Sequence, residues 1–222
     1  MRSENHPHNQ SSQPTPGTFI DQMRRDQIVR ATITVLATSG FAHTSLARIA
    51  QQLGISKGVI SYHFAGKEDL LRQVVTTIYT VGAVEMAAAL QAATTPREQL
   101  HAYIRSNLAF IASHPAEIRA LGEIFLNLRR PSGEPFYGPA DEEPIIAVLE
   151  QGFRAGQATG QFRQFDTRIM ALSLRAAIDK FSAQVGGGGT IAVEIYTEEL
   201  ITLFDSATHH PEETDPDKQE TH

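Results

Sequence analysis

Apolar residues return every three or four positions along almost the whole chain, and no stretch of strand length alternates apolar with polar side chains. A period near 3.6 builds helices with one buried face, whereas a half-buried strand needs a period of two. Ile28, Ala31, Thr32, Val35 and Leu36 stand at i, i+3, i+4, i+7 and i+8, and Gly40 closes that run. Leu46, Ile49, Ala50 and Leu53 predict a short second helix, opened by Thr44 or Ser45 as N-cap and stopped by Gly54. A third starts at Ser56. Lys67-Glu68-Asp69 opens a long fourth helix running to about Ala93, with its acids where the positive helix end favours them. Later helices are expected at roughly 96–112, 115–129, 142–157, 166–185 and 190–206, separated by His114-Pro115, Pro131 to Pro139, Gly160 and the Gly186–Gly189 run. The predicted fold class is all-α, with about nine helices.

The two ends lack this pattern. Residues 1–18, rich in Asn, Gln, Ser, Pro and His, are expected to form a disordered arm, and 207–222 a disordered tail. His209 and His210 in that tail read as solvent-exposed rather than as metal ligands, and neither a metal nor a cofactor is expected. Between the ends, 41% hydrophobic and 20% charged residues support a packed core. The absence of cysteine removes disulfides and thiolate metal sites. No uninterrupted apolar run reaches the roughly 18 residues of a membrane span. The opening Met-Arg-Ser-Glu-Asn-His-Pro does not read as a secretory signal, so a cytoplasmic protein with no membrane partner is expected.

The net charge of −6 argues against nucleic acid until its distribution is considered. From Asp21 to Lys67 there are six Lys/Arg against two Asp/Glu; from Glu68 onward there are twelve against twenty-two. Such asymmetry places any phosphate contacts in the first segment.

That segment contains a recognisable local syntax from Thr44 to Phe64. Two helices of about two turns are joined by a tight turn at Gly54, a residue that adopts positive φ without cost. Ile55 plugs the gap between them. This is the pattern of a helix-turn-helix, whose second helix enters the DNA major groove. Ser56 at the second helix's start, Lys57, and Gly58 with no side chain to hold DNA away suit a phosphate backbone. Tyr62 and His63 at the far end can donate to phosphates, and Ile60 and Phe64, four apart, face the core. Thr44 and Ser45 form a second phosphate clamp and Lys67 reaches the same strand, while Val59 and Ser61 are the positions that read bases.

Thr44-Ser45, Ile49-Ala50, Gly54-Ile55-Ser56-Lys57-Gly58, Tyr62-His63-Phe64 and Lys67-Glu68-Asp69-Leu70 follow one another without gaps. In this the segment resembles the DNA-binding domain of the tetracycline-repressor (TetR) family of bacterial regulators, over about 60 residues from Asp21 to Val81. One departure is Ser61, where that family often places tyrosine. The resemblance implies a three-helix N-terminal DNA-binding domain (21–81), joined by a long helix to a larger helical ligand-binding and dimerisation domain (82–206). It further implies a dimer on a palindromic double-stranded operator, most often a repressor, with an unidentified small-molecule effector.

The later helices agree with that division. Ile169, Met170, Leu172, Leu174, Ile178 and Phe181 cover much of one helix, and Ile191, Ile195, Tyr196, Leu200 and Leu203 much of the last. Helices apolar around most of their circumference need partners on two sides, which makes them either central core helices or a homodimer interface. Leu174, Ile178, Phe181, Ile195, Tyr196, Leu200 and Leu203 are the interface candidates. Met86, Leu90, Tyr103, Phe110, Phe125 and Phe153 are the pocket candidates, with His101, Asn107, His114, Glu123 and Asp179 as polar groups nearby. The residues carry no G-x-S-x-G, H-E-x-x-H, P-loop or carboxylate–histidine constellation, so an all-helical enzyme is the weaker alternative. A ligand-independent architectural DNA-binding protein is the other; it needs a more extensive basic surface than this one.

Overall fold

The computed structural model describes residues 16–189 and 192–209. Most of the expected arm, and the tail from His210 onward, lie outside the described residues. Nine α-helices follow one another in the described part: α1 (Pro16–Ser39), α2 (Leu46–Leu53), α3 (Lys57–His63), α4 (Lys67–Ala92), α5 (Pro96–Ser113), α6 (Pro115–Asn127), α7 (Pro139–Ala158), α8 (Thr167–Gly186) and α9 (Val193–Thr208). The fold is all-α, and one isolated bridge, Arg129 to Pro135, is the sole ladder contact among the described residues.

Several ends differ from the sequence reading for identifiable reasons. α1 begins at Pro16, inside the expected arm, because proline is tolerated in the first helical turn. α9 runs through Ala207 and Thr208 into the expected tail. There Thr208 is buried, its hydroxyl donates to the Phe204 carbonyl at 2.8 Å, and its own carbonyl accepts the Arg163 N–H at 2.9 Å. α7 starts at Pro139 instead of near 142, because Asp141 accepts the Gly138 N–H at 2.8 Å and so caps an earlier turn. At α5 the Thr95 hydroxyl accepts the Glu98 N–H at 3.2 Å while the Glu98 carboxylate accepts the Thr95 N–H at 3.0 Å. Two helix-end donors are satisfied at once.

Two apolar cores result. The first gathers Ile28 and Leu36 of α1, Ile49 of α2, Ile60 of α3, and Leu70, Leu71 and Val74 of α4, all fully buried. Ala120 and Ile124 of α6 complete it. The second gathers Ile104 and Leu108 of α5, Phe153 of α7, Leu174, Ile178 and Phe181 of α8, and Leu200, Ile201 and Phe204 of α9. α6 thus serves both, since its Ile118 belongs to the second core.

α4 corrects one expectation. It is long and apolar enough, by length and composition, to cross a membrane, with a mean hydropathy of 1.3 over 18 residues. A search for an uninterrupted apolar run misses it because threonines, a tyrosine and glycine intervene. In the fold its apolar face from Leu70 to Gly82 packs against α1 and α5.

One close approach limits what the second body tolerates. A Cβ at Gly156 of α7 would stand 1.9 Å from the Phe162 ring, which the chain folds back onto α7. Phe162 is buried against Phe153, ring centroids 6.0 Å apart. Gly156→Ala is therefore expected to destabilise the protein by about 1–3 kcal/mol in urea unfolding, the usual cost of overpacking a core. Gly152→Ala on the same helix meets open space and is expected to be neutral or stabilising by about 0.5–1 kcal/mol.

Candidate functional site

The helix-turn-helix forms around Gly54, whose φ of 65° lets its N–H reach the Ala50 and Gln51 carbonyls and end α2. Ile55 then bonds back to Ala50 at 3.0 Å, which sets α3 across α2. Ile49, Ile60 and Phe64 anchor the inner face at 0–2% exposure. The outer face of α3 is left to solvent: Ser56, Lys57, Gly58, Ser61 and Tyr62 are all exposed, Tyr62 at 76%. The Ser56 hydroxyl makes no cap bond and remains available. Val59 and His63 are half-buried, and the Tyr62 ring stands edge-on to His63 at 4.9 Å. Ser45 caps α2 by accepting the Arg48 N–H at 3.2 Å.

Two candidates sit differently from the sequence reading. Thr44 is 2% exposed, and its hydroxyl donates to the Gly40 carbonyl at 2.8 Å. Its side chain holds the turn and does not face a phosphate. Lys67 lies over the Phe41 ring at 4.1 Å and donates to the Phe41 carbonyl at 3.3 Å. Burial lowers its pKa, so it is a partly desolvated cation engaged inside the domain.

Three residues that sequence reasoning did not assign to this site help to build it. The guanidinium of Arg25 in α1 lies 4.4 Å from the Phe64 ring and donates to the His63 carbonyl, at the negative end of α3. Arg48 on α2 is exposed and, with Ser39 and His43, lines a shallow cavity of about 410 Å³ beside the outer face. Glu123 of α6 accepts the Phe41 N–H at 2.7 Å, tying the α1–α2 turn to the other body. Pairs 38 and 82 residues apart leave no local signal in a sequence.

The remaining candidates do not assemble into one site. Phe125 packs on Tyr137 at 5.1 Å, alongside the first core, and Phe153 is 2% exposed among Phe162 and Phe165. Met86, Leu90, Tyr103 and Phe110 lie half-buried on α4 and α5. Leu174, Ile178 and Phe181, at 0% exposure, and Leu200, at 5%, fill this chain's own core and present nothing to a partner. Tyr196 donates to the Ala177 carbonyl at 2.7 Å and stacks at 4.9 Å on Phe181. Ile195 and Leu203 do face outward, 67% and 60% exposed, as do Ile169 and Leu172 of α8, at 61% and 40%. Of the polar groups, His101 pairs with Asp205 at 2.7 Å, His114 with Glu85 at 3.3 Å, and Asn107 donates to the Tyr103 carbonyl at 2.9 Å.

An exposed recognition-type helix on a rigid three-helix base, followed by a helical body, defines a helix-turn-helix protein of wholly helical build. Residues 28–74 match the family model described as bacterial regulatory proteins, tetR family. That match covers the helix-turn-helix domain and no more of the chain. It is 33% identical over 93 residues to the HTH-type transcriptional regulator BetI 1 of Chromohalobacter salexigens, covering 41% of this chain and 46% of that protein. It is 34% identical over 96 residues to BetI of Burkholderia thailandensis, covering 41% and 48%. The matched stretch thus spans about half the length of these relatives. Among solved structures, the fold is shared with the fatty acid degradation regulator FadR from Bacillus halodurans, with a TM-score of 0.68, 18% identity, and 90% and 100% of the two chains covered. A bacterial regulatory protein in the tetR family from Rhodococcus RHA1 gives a TM-score of 0.67 at 22% identity, covering 84% and 97%.

The Glu123 contact yields a test. Glu123→Ala leaves the Phe41 N–H without its acceptor, so a loss of about 1–3 kcal/mol in unfolding free energy is expected. Glu123→Gln keeps an acceptor oxygen in place and is expected to recover most of that loss.

Proposed function

We propose that the chain is a transcriptional repressor that binds a palindromic operator as a homodimer and is released by a small-molecule effector. The observation that carries this reading is the outer face of α3. Lys57, Gly58, Ser61 and Tyr62 are exposed together on a helix whose opposite face is locked into a core. In this reading Ser45, Ser56, Lys57, Gly58, Tyr62 and His63 hold phosphates, while Val59 and Ser61 meet base edges. Action on chromosomal operators places the protein in the cytoplasm.

Geometry and surface both support dimerisation. Two recognition helices read one palindrome only when a two-fold axis spaces them about one DNA turn apart. Ile169 and Leu172 on α8 and Ile195 and Leu203 on α9 supply an outward apolar face suited to a four-helix contact with a second copy. Their α8 neighbours Ser173, Ala176 and Ala183 are small and exposed, which permits close helix approach.

Selection of binding sites from a random DNA pool is expected to return a palindrome. Lys57→Ala is expected to weaken binding to it and to lower the salt slope by about one counterion. Binding without any preferred sequence would overturn the operator reading. Light scattering is expected to give twice the 24.3 kDa chain mass, and Leu203→Glu to shift the protein toward the monomer. A wild-type monomer at micromolar concentration would overturn the interface.

A further inference from the structure

The outward face of α3 has no side chain at its centre. A helix turns by about 100° per residue, so Gly58 and Tyr62, four apart, stand opposite Ile60, which α3 buries in the first core. Val59, half-buried, and Ser61, exposed, flank them.

The fold itself does not call for glycine at this position. Gly54 is needed for its positive φ, but Gly58 is not among the positive-φ glycines. A Cβ added at Gly58 would meet only the Ser56 hydroxyl, at 3.5 Å, an ordinary contact. Within a helix glycine is less favourable than alanine, and α3 has only seven residues. Among the helical glycines whose exposure is described, Gly58 alone is exposed. Gly82 and Gly156 are buried against phenylalanine rings, and Gly122, Gly152 and Gly186 are half-buried. The missing side chain therefore leaves a notch that opens away from the chain, floored by the Gly58 backbone and bounded by Val59, Ser61 and Tyr62.

The chemistry around the notch narrows what fills it. Lys57 and, on α2, Arg48 are exposed and have no carboxylate within ion-pair distance among the described residues, which suits a polyanion. Lys57–His63 holds no Arg, Asn, Gln, Asp or Glu. Adenine is read in the major groove by the paired donor and acceptor of Asn or Gln, and cytosine by the carboxylate of Asp or Glu, so α3 reads neither in that way. Lys57 can donate to guanine, and the Ser61 hydroxyl serves either kind of edge. At Gly58 itself the surface is apolar. Thymine is the base that presents an apolar group in the major groove, its C5-methyl. The Gly58 N–H runs along the helix axis and stays free for a phosphate, while the notch opens sideways.

We propose that the notch at Gly58 receives the C5-methyl group of one thymine in each operator half-site. Part of the sequence preference is then a shape contact made possible by an absent side chain. The proposal rests on the operator-binding reading above and adds which base α3 selects.

The test titrates the full chain, by fluorescence anisotropy, with the operator selected from a random pool. Each thymine in turn, with its symmetry mate, is replaced by uracil, which removes the methyl group and nothing else. One symmetric pair is expected to stand out, at about fourfold in affinity per methyl group and about fifteenfold for the pair. Gly58→Ala is expected to keep the melting temperature or raise it by about 2–4 °C. It is expected to bind the thymine operator at least about tenfold more weakly, because its methyl group fills the notch. In that variant uracil at the sensitive pair binds at least as tightly as thymine. A pool that returns no preferred sequence overturns the operator reading, and this inference with it. A preferred operator in which no uracil replacement changes affinity by more than about twofold overturns this inference alone. So does a Gly58→Ala variant that melts lower, binds with wild-type affinity, or keeps the wild-type preference for thymine at that pair.

Discussion

The turn after α1 is tied to other helices through Phe41, and the placement of the recognition helix follows from it. Phe41 gives its N–H to Glu123 of α6 at 2.7 Å, offers its carbonyl to Lys67 of α4 at 3.3 Å, and lays its ring beneath the same ammonium at 4.1 Å. Both backbone polar groups of Phe41 are thus met by side chains from other helices, as a partly buried backbone requires. The turn delivers Thr44 and Ser45 to the start of α2, and Gly54 then sets α3 on α2. Through this chain of contacts α3 is referenced to the ends of α4 and α6, and Arg25 fixes its far end from α1. A recognition helix of seven residues is too short to hold itself, so its position is a property of these tertiary bonds.

Within the proposed function, the same arrangement gives an effector something to act on. Tyr79 lies twelve residues along α4 from Lys67, about 18 Å at the helical rise. A tilt of about 5° over that length moves the Lys67 end by about 1.6 Å, enough to disturb a hydrogen bond whose useful range is only a few tenths of an ångström. The loop after α6 reinforces the lever. Phe136 and Tyr137 pack against the first core, and Arg130 lies 4.9 Å from the Phe136 ring. Within the proposed function, a ligand that meets α4 shifts operator affinity only as far as its own affinity differs between the two positions of α4.

The helices were legible because periodicity and punctuation are local. Gly54, Thr95 with Glu98, and the first-turn prolines each act within four residues, and the element order follows from them. The recognition segment was legible for the same reason, since its capping, turn and anchor residues lie within a 21-residue window. What escaped was set by contacts distant in sequence. Thr44 reads as a phosphate clamp until the turn folds its hydroxyl onto Gly40. Leu174, Ile178 and Phe181 read as an interface because periodicity shows that a face is apolar but not which neighbour covers it. Phe125 and Phe153 both show helical spacing yet belong to different cores.

Charge pairing explains why a chain of net −6 still offers a surface for DNA. Among the exposed arginines of the second body, Arg97 is matched with Asp205, Arg105 with Glu198, and Arg168 with Glu143 and Glu150, while Arg119, Arg129 and Arg130 are not matched among the described residues. The Arg168 pKa is raised chiefly by its hydrogen bond to Glu143. In the first body, ahead of α4, no such pairing occurs among the described residues: Arg24, Arg30, Arg48 and Lys57 have no carboxylate within ion-pair distance. An arginine already bridged to an acid must break that bridge before it can take up a phosphate, whereas an unpaired one only releases counterions. The acidic excess lies beyond Lys67 in the sequence, away from the basic segment that carries α3. The overall negative charge and a local nucleic-acid surface are therefore compatible, and the segregation favours docking in one orientation.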